Sequence, residues 1–127
     1  MSVSFDPAKG LIIVFARLRG PAGERTIRLA LDTGATTTTV RSSVLVNLGY
    51  DPAASPERLP MTTASGVEYV PRIPIARIEA LGESQEPFAV IAHTLPPSAT
   101  VDGLLGLDFF RERGLTIDFR SGTIEVV

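Results

Sequence analysis

Apolar residues run unbroken through 11–16, and after the turn residues Gly20-Pro21-Ala22-Gly23 the pattern changes to alternation, with Ile27, Leu29 and Leu31 on one face of 25–31. The first segment, 11–18, reads as a buried strand and the pair as a hairpin. The second strand leads straight into Asp32-Thr33-Gly34-Ala35, which should leave the sheet as a loop, Gly34 allowing a turn that a side chain would obstruct. After Thr36 to Thr39, Ser42-Ser43 are placed to cap a short helix carrying Val44, Leu45 and Leu48, and Gly49 to end it.

A Pro- and Ala-containing linker, 51–60, precedes two extended segments, 59–64 and 67–78, that meet at Ser65-Gly66 and predict a projecting hairpin. Pro71 and Pro74 in its return strand cannot donate to a ladder, which suits an edge or overhanging ribbon. A further strand is expected over 88–95, ended by Pro96-Pro97. Val101 to Gly106 then lead into a helix over 107–113 stopped by Gly114, so strand, glycine loop, short helix and glycine stop occur twice. Segments 115–119 and 123–127 flank Ser121-Gly122 as a last hairpin.

With 44% hydrophobic and 20% charged residues the chain is not disordered, and its Val, Ile, Leu and Thr content favours a mostly β fold with one or two short helices. Its 127 residues suit one domain spanning 1–127. A net charge of −2, with twelve scattered Lys and Arg residues, gives no footprint for nucleic acid. Cysteine is absent, which excludes disulfides, thiolate metal sites and a cysteine nucleophile. His93, the single histidine, lies in the apolar run 88–93 with no nucleophile elbow elsewhere, so it reads as a strand residue. No apolar stretch approaches the ~20 residues that span a bilayer. A soluble chain without a membrane partner is expected, the cytoplasm being favoured among compartments.

Leu29-Ala30-Leu31-Asp32-Thr33-Gly34-Ala35, with Leu104-Leu105-Gly106-Leu107-Asp108-Phe109-Phe110 downstream and a hairpin between them, resembles the retropepsin-like aspartic proteases. An isolated Asp-Thr-Gly is weak, but the paired motif at this distance is specific, and the resemblance extends over about residues 11–127. It implies a closed acid-protease β fold and a homodimer in which Asp32 of each subunit supplies one catalytic carboxylate for peptide hydrolysis. By the same resemblance Thr33 directs its hydroxyl across the dimer axis to the opposite loop; the alternative is packing beside the strand end. Gly34 lets backbone N–H groups approach the carboxylate, and Ala35 leaves room for a peptide substrate. Leu104, Leu105 and Gly106 pass behind the loop as support. Ala64, Ser65, Gly66 and Val67 match the family's flap, the alternative being an ordinary exposed hairpin. No metal or organic cofactor is implied.

Elementary chemistry makes a matching demand. Peptide hydrolysis without a metal or covalent nucleophile needs one carboxylate to deprotonate water and an acid to protonate the amide. The other carboxylates considered, Asp102, Asp108 and Asp118, lie outside any second Asp-Thr-Gly, so a symmetric copy is the simpler source. Asp108, early in the expected helix, is assigned to the helix dipole. Viral members usually carry acidic residues after Asp-Thr-Gly-Ala and an Arg after the second glycine motif. Here Thr36-Thr37 and Leu107 stand there, so that ion-pair lock is missing, dimerisation must rest on apolar contacts and the terminal strands, and a bacterial or cellular branch is favoured. The competing reading from another class is an inactive dimerisation or peptide-binding module with the same fold.

Overall fold

The computed structural model describes residues 2–96 and 98–127, with Thr63 described in its backbone only. In chain order the strands are β1 (Ser2–Ser4), β2 (Ile13–Gly20), β3 (Gly23–Leu31) and β4 (Thr39–Arg41), followed by helix α1 (Ser42–Asn47). A 3-10 turn at Pro52–Ala54 precedes β5 (Arg58–Thr63), β6 (Gly66–Ile75), β7 (Arg77–Ala80), β8 (Glu83–Gln85) and β9 (Phe88–His93). The chain ends with β10 (Gly103–Leu105), a 3-10 turn at Leu107–Phe110, β11 (Leu115–Asp118) and β12 (Thr123–Val126). This is the mostly β fold that the sequence implied, with a single short α-helix among the described residues.

Nine strands form one sheet in the order β5-β6-β9-β4-β10-β3-β2-β7-β8, and β1-β12-β11 form a second. β3 and β4 follow one another in sequence yet are separated in space by β10, which runs parallel to β3 (Leu105 opposite Leu31) and antiparallel to β4 (Leu104 opposite Thr39). Gly103 makes that insertion possible, since a Cβ there would stand 1.9 Å from the Thr39 carbonyl oxygen. Inward residues of β2, β3, β7 and β9 form the core with Val44 and Leu45 of α1, and β12 adds Ile124 and Val126 to the same cluster. At its centre Phe109 is fully buried and meets Phe88 and Phe110 edge to face, at 6.0 and 5.3 Å between ring centres.

Several local expectations are corrected. The segment read as a buried strand is covered on one face: Val14, Ala16 and Leu18 point inward, while Phe15 is 65% exposed and Arg17 and Arg19 face outward. Ser42 and Ser43 do not cap α1; Arg41 holds the cap position without a side-chain bond, and both serines lie inside the first turn. Gly49 does end the helix, at φ +94°. The helix expected over 107–113 is one 3-10 turn, Leu107–Phe110. The Gln85 side chain takes the Phe109 carbonyl at 2.8 Å, and Glu112 turns the backbone to φ 64°.

The return strand of the projecting hairpin divides at Ala76, whose N–H donates to the Tyr50 hydroxyl at 2.8 Å. That hydroxyl in turn donates to the Arg19 carbonyl at 2.9 Å, tying β2 to the break. The hairpin turns on Ala64-Ser65, with Gly66 (φ +126°) opening β6 opposite Thr63. It overhangs as the prolines suggested: Pro71 pairs only toward β5, opposite Arg58, and Pro74 only toward β9, opposite Ala89. His93 is the last residue of β9, which stops before the expected 95, and the Pro97 half of the expected stop lies outside the described residues. Strands β1, β4, β8 and β10 were not anticipated.

Candidate active site

Asp32 is the first residue beyond β3. Its N–H donates to the Leu105 carbonyl at 3.0 Å, and its own carbonyl accepts from Ala35 N–H at 3.1 Å. Asp32 is half-buried, and its Oδ1 accepts from Gly34 N–H at 2.8 Å. The fit at Gly34 is close, since a Cβ there would lie 3.1 Å from that oxygen and would press on the carboxylate. Thr33 is exposed, and among the described residues its hydroxyl has no partner.

Leu104, Leu105 and Gly106 lie behind this loop. Leu105 is fully buried. Gly106 is pressed so closely to the loop that an added Cβ would meet Thr37 and Ala35 backbone atoms at 2.8–3.0 Å. Leu107 N–H donates to the Ala35 carbonyl at 2.8 Å, so the two motifs are joined on both sides of the glycine. The structure therefore brings Asp32, Gly34 and Ala35 together with Leu104, Leu105 and Gly106.

A cleft of about 460 Å³ opens between this loop and the projecting hairpin, lined by Gly34, Ala35, Leu104 and Ile91 on one side and by Leu59 and Met61 of β5 on the other. The tip residues Ala64, Ser65, Gly66 and Val67 are not among its walls; it is the stem of the hairpin that faces the loop. Val67 and Tyr69 remain 60% and 68% exposed beyond it. A more apolar groove of about 560 Å³ lies elsewhere, between Phe5, Leu11, Ile13 and Phe15, and lacks the Asp-Thr-Gly loop.

The other carboxylates considered are committed. Asp102 accepts from Arg28 N–H at 3.1 Å and pairs with Arg41 at 3.7 Å, guiding the chain into β10. Asp118 accepts from Arg120 and Ser121 N–H groups in the last hairpin, and these bonds hold its carboxyl below the ordinary range. Asp108 does lie in the first turn after Gly106, yet its bonds go to Thr38: both oxygens accept from Thr38 N–H at 3.0 Å, and Oδ1 accepts from the hydroxyl at 2.7 Å. Thr38 was missed in the sequence because it sits in a run of four threonines, Thr36 to Thr39, that nothing local tells apart. Among the described residues no three His, Asp or Glu side chains are grouped as metal ligands, and no helix is long and apolar enough to cross a membrane.

Comparison with known proteins agrees with this geometry. A family model described as aspartyl protease matches residues 16–109. The crystal structure of a retropepsin-like aspartic protease from Rickettsia conorii superposes with a TM-score of 0.72 at 16% identity, covering 100% of this chain and 92% of that one. The EIAV protease complexed with the inhibitor HBY-793 superposes with a TM-score of 0.62, also at 16% identity, over 87% of this chain and 93% of the other. No curated protein matches in sequence.

Proposed function

Because the chain belongs to the aspartyl protease family, we propose that it is an aspartic endopeptidase whose active site is completed by two copies, each supplying Asp32. The observation that carries this reading is Asp32, half-buried on a loop that Leu105 braces and whose Gly34 and Ala35 line a cleft, while Asp102, Asp108 and Asp118 are bonded elsewhere. One carboxylate cannot act as base and acid in the same step. A two-fold axis beside the loop supplies the second, and the exposed Thr33 hydroxyl is free to reach the opposite loop and fix the two carboxylates relative to each other.

In the resulting cleft an extended peptide lies between the Asp32 loops and the β5–β6 hairpins. The ionised Asp32 takes a proton from water as the water oxygen bonds to the scissile carbonyl carbon; the protonated Asp32 of the partner subunit gives its proton to the carbonyl oxygen. Proton return to the amide nitrogen then lets the C–N bond break. The hairpins, with tips at Ala64, Ser65, Gly66 and Val67, close over the peptide and exclude water. Residues 1–127 act as one domain, and the mechanism asks for no metal or organic cofactor.

The test is a peptide-library digest read by mass spectrometry, run with wild type and Asp32→Asn while sedimentation follows dimer content. Wild-type cleavage that is lost in a folded, dimeric Asp32→Asn supports the reading. Retained turnover in that variant, or cleavage by a pure monomer, would overturn it. Saturable peptide binding without cleavage would replace it with the inactive binding module.

A further inference from the structure

Two side chains beneath the Asp32 loop take no part in the chemistry just described, yet they are bonded more densely than any other polar pair near it. Thr38 is fully buried, and its hydroxyl works in both directions: it donates to Asp108 Oδ1 at 2.7 Å and accepts from Gly106 N–H at 3.1 Å. Its own N–H is shared between both oxygens of Asp108, at 3.0 Å each. The arc from Asp32 to Thr38 is thus stitched to the segment 105–108 three times. The first stitch is Asp32 N–H to Leu105 carbonyl, and the second is Leu107 N–H to Ala35 carbonyl. The third alone is built from side chains.

We propose that Thr38 and Asp108 are a positioning pair that sets the height and rotation of the Asp32 loop against β10. Its kinetic consequence rests on the protease reading, whereas its geometric part does not. Burying a hydroxyl and half-burying a carboxylate is costly compared with an apolar filling such as Val in place of Thr. What the polar pair adds is direction. Gly106 lies just beyond the last residue of β10, so its buried N–H has no ladder partner, and the Thr38 hydroxyl is the acceptor that holds it. With Gly106 pinned to the Thr38 hydroxyl and Thr38 pinned to Asp108, the loop cannot slide along β10 without breaking directional bonds. A carboxylate that must meet its symmetry mate needs that accuracy, because misplacement by ~1 Å costs about a hundredfold in rate.

The experiment compares full-length wild type, Thr38→Val, Thr38→Ser and Asp108→Asn. It measures kcat and KM on a peptide that wild type cleaves, dimer content, and amide exchange by NMR at Asp32, Gly106 and Leu107. Thr38→Val keeps the shape without the hydroxyl; kcat should fall roughly tenfold or more with KM changed less than about twofold, and exchange at Gly106 and Asp32 should accelerate. Thr38→Ser restores the hydroxyl and should return kcat to within about threefold of wild type. Wild-type kcat in Thr38→Val, or a Thr38→Ser enzyme as impaired as Thr38→Val, overturns the proposal. If Thr38→Val does not fold, Asp108→Asn decides: its amide leaves one oxygen for two Thr38 donors, so lower kcat with faster exchange supports the pair, and wild-type values refute it. If wild type cleaves no peptide the protease reading is lost, and the exchange comparison alone decides whether the pair positions the loop.

Discussion

Compared with a Cβ at Gly20 or Gly106, one at Gly103 would be crowded more closely. A methyl group there would stand 1.9 Å from the Thr39 carbonyl oxygen, about 1.5 Å inside the 3.4 Å at which ordinary contact begins. The obstacle is main chain, so no rotamer change relieves it. Thr39 belongs to β4, paired with Ile91 of β9 on one side and Leu104 of β10 on the other, and its retreat would loosen a ladder in the middle of the nine-stranded sheet. Overpacking of this kind costs ~1–3 kcal/mol, and a lost hydrogen bond adds ~1 kcal/mol, so Gly103→Ala should cost about 2–4 kcal/mol. Against a total stability of ~5–15 kcal/mol that is a large fraction. At roughly 4 °C per kcal/mol for a chain of this size, Tm should fall by about 8–16 °C. Thermal and urea unfolding at one fixed protomer concentration would measure it, since dimerisation would shift Tm with concentration. Gly10→Ala is the control, because nothing lies within 4 Å of a Cβ at Gly10. A Gly103→Ala protein that melts within about 2 °C of wild type would refute the argument that β10 fits its slot only through a bare backbone.

Leu105→Ala, at a fully buried site whose carbonyl holds the Asp32 N–H, should cost ~2–5 kcal/mol by urea unfolding and lower kcat as well; a stability change below about 1 kcal/mol would contradict its packing role. Bound Asp118 titrates below its ordinary value, so its contribution is complete above about pH 4 and is lost as pH falls through the lowered pKa. Asp118→Asn should therefore be less stable than wild type at pH 6 and converge with it under acid, and a difference that grew on acidification would show the sign to be wrong. If two copies pair their Asp32 carboxylates as proposed, the two cannot easily both ionise, so kcat/KM for a peptide without titratable groups should be bell-shaped in pH at constant dimer content; a flat profile from about pH 3 to 8 would reject a shared proton. Amide exchange at 64–67 should slow when an extended peptide or a competitive inhibitor occupies the cleft, and equal exchange in both states would remove the hairpin from substrate binding.

The alternation of Ile27, Leu29 and Leu31, the turn at 20–23 and the emergence of the Asp32 loop from a strand were legible because each depends on near neighbours in sequence. The overhang of the hairpin was legible too, since Pro71 and Pro74 report locally on missing donors. What escaped was set by distance or brevity. β8 is Glu83-Ser84-Gln85 and β1 is Ser-Val-Ser, neither long nor apolar enough to show a period. The twofold recurrence of strand, glycine loop and short helix pointed to the pairing of the two motifs, yet the threading of β10 between β3 and β4 is a matter of registers that no local pattern encodes. Local rules misled where a distant group competed. Gln85 claims the Phe109 carbonyl that a longer helix would have used, and Asp108, which suits a helix start, is taken by Thr38. The position of Asp32 at a loop beside a cleft could be anticipated from the motif; the wall formed by Leu59 and Met61 could not, because it depends on how the hairpin stem folds back.

The insertion of β10 also imposes an order of events during synthesis. A ribosome delivers β3, the Asp-Thr-Gly loop and β4 early, but the slot between those strands stays vacant until Gly103–Leu105 emerge much later in the chain. Until then both strands present bare edges of the kind that other chains can pair with, and Asp32 lacks the Leu105 carbonyl that holds its N–H. Closing the slot is a long-range event and correspondingly slow. A nascent or truncated chain ending before Gly103 thus contains the full motif without the architecture that shapes it, so the motif is translated long before it can be a site.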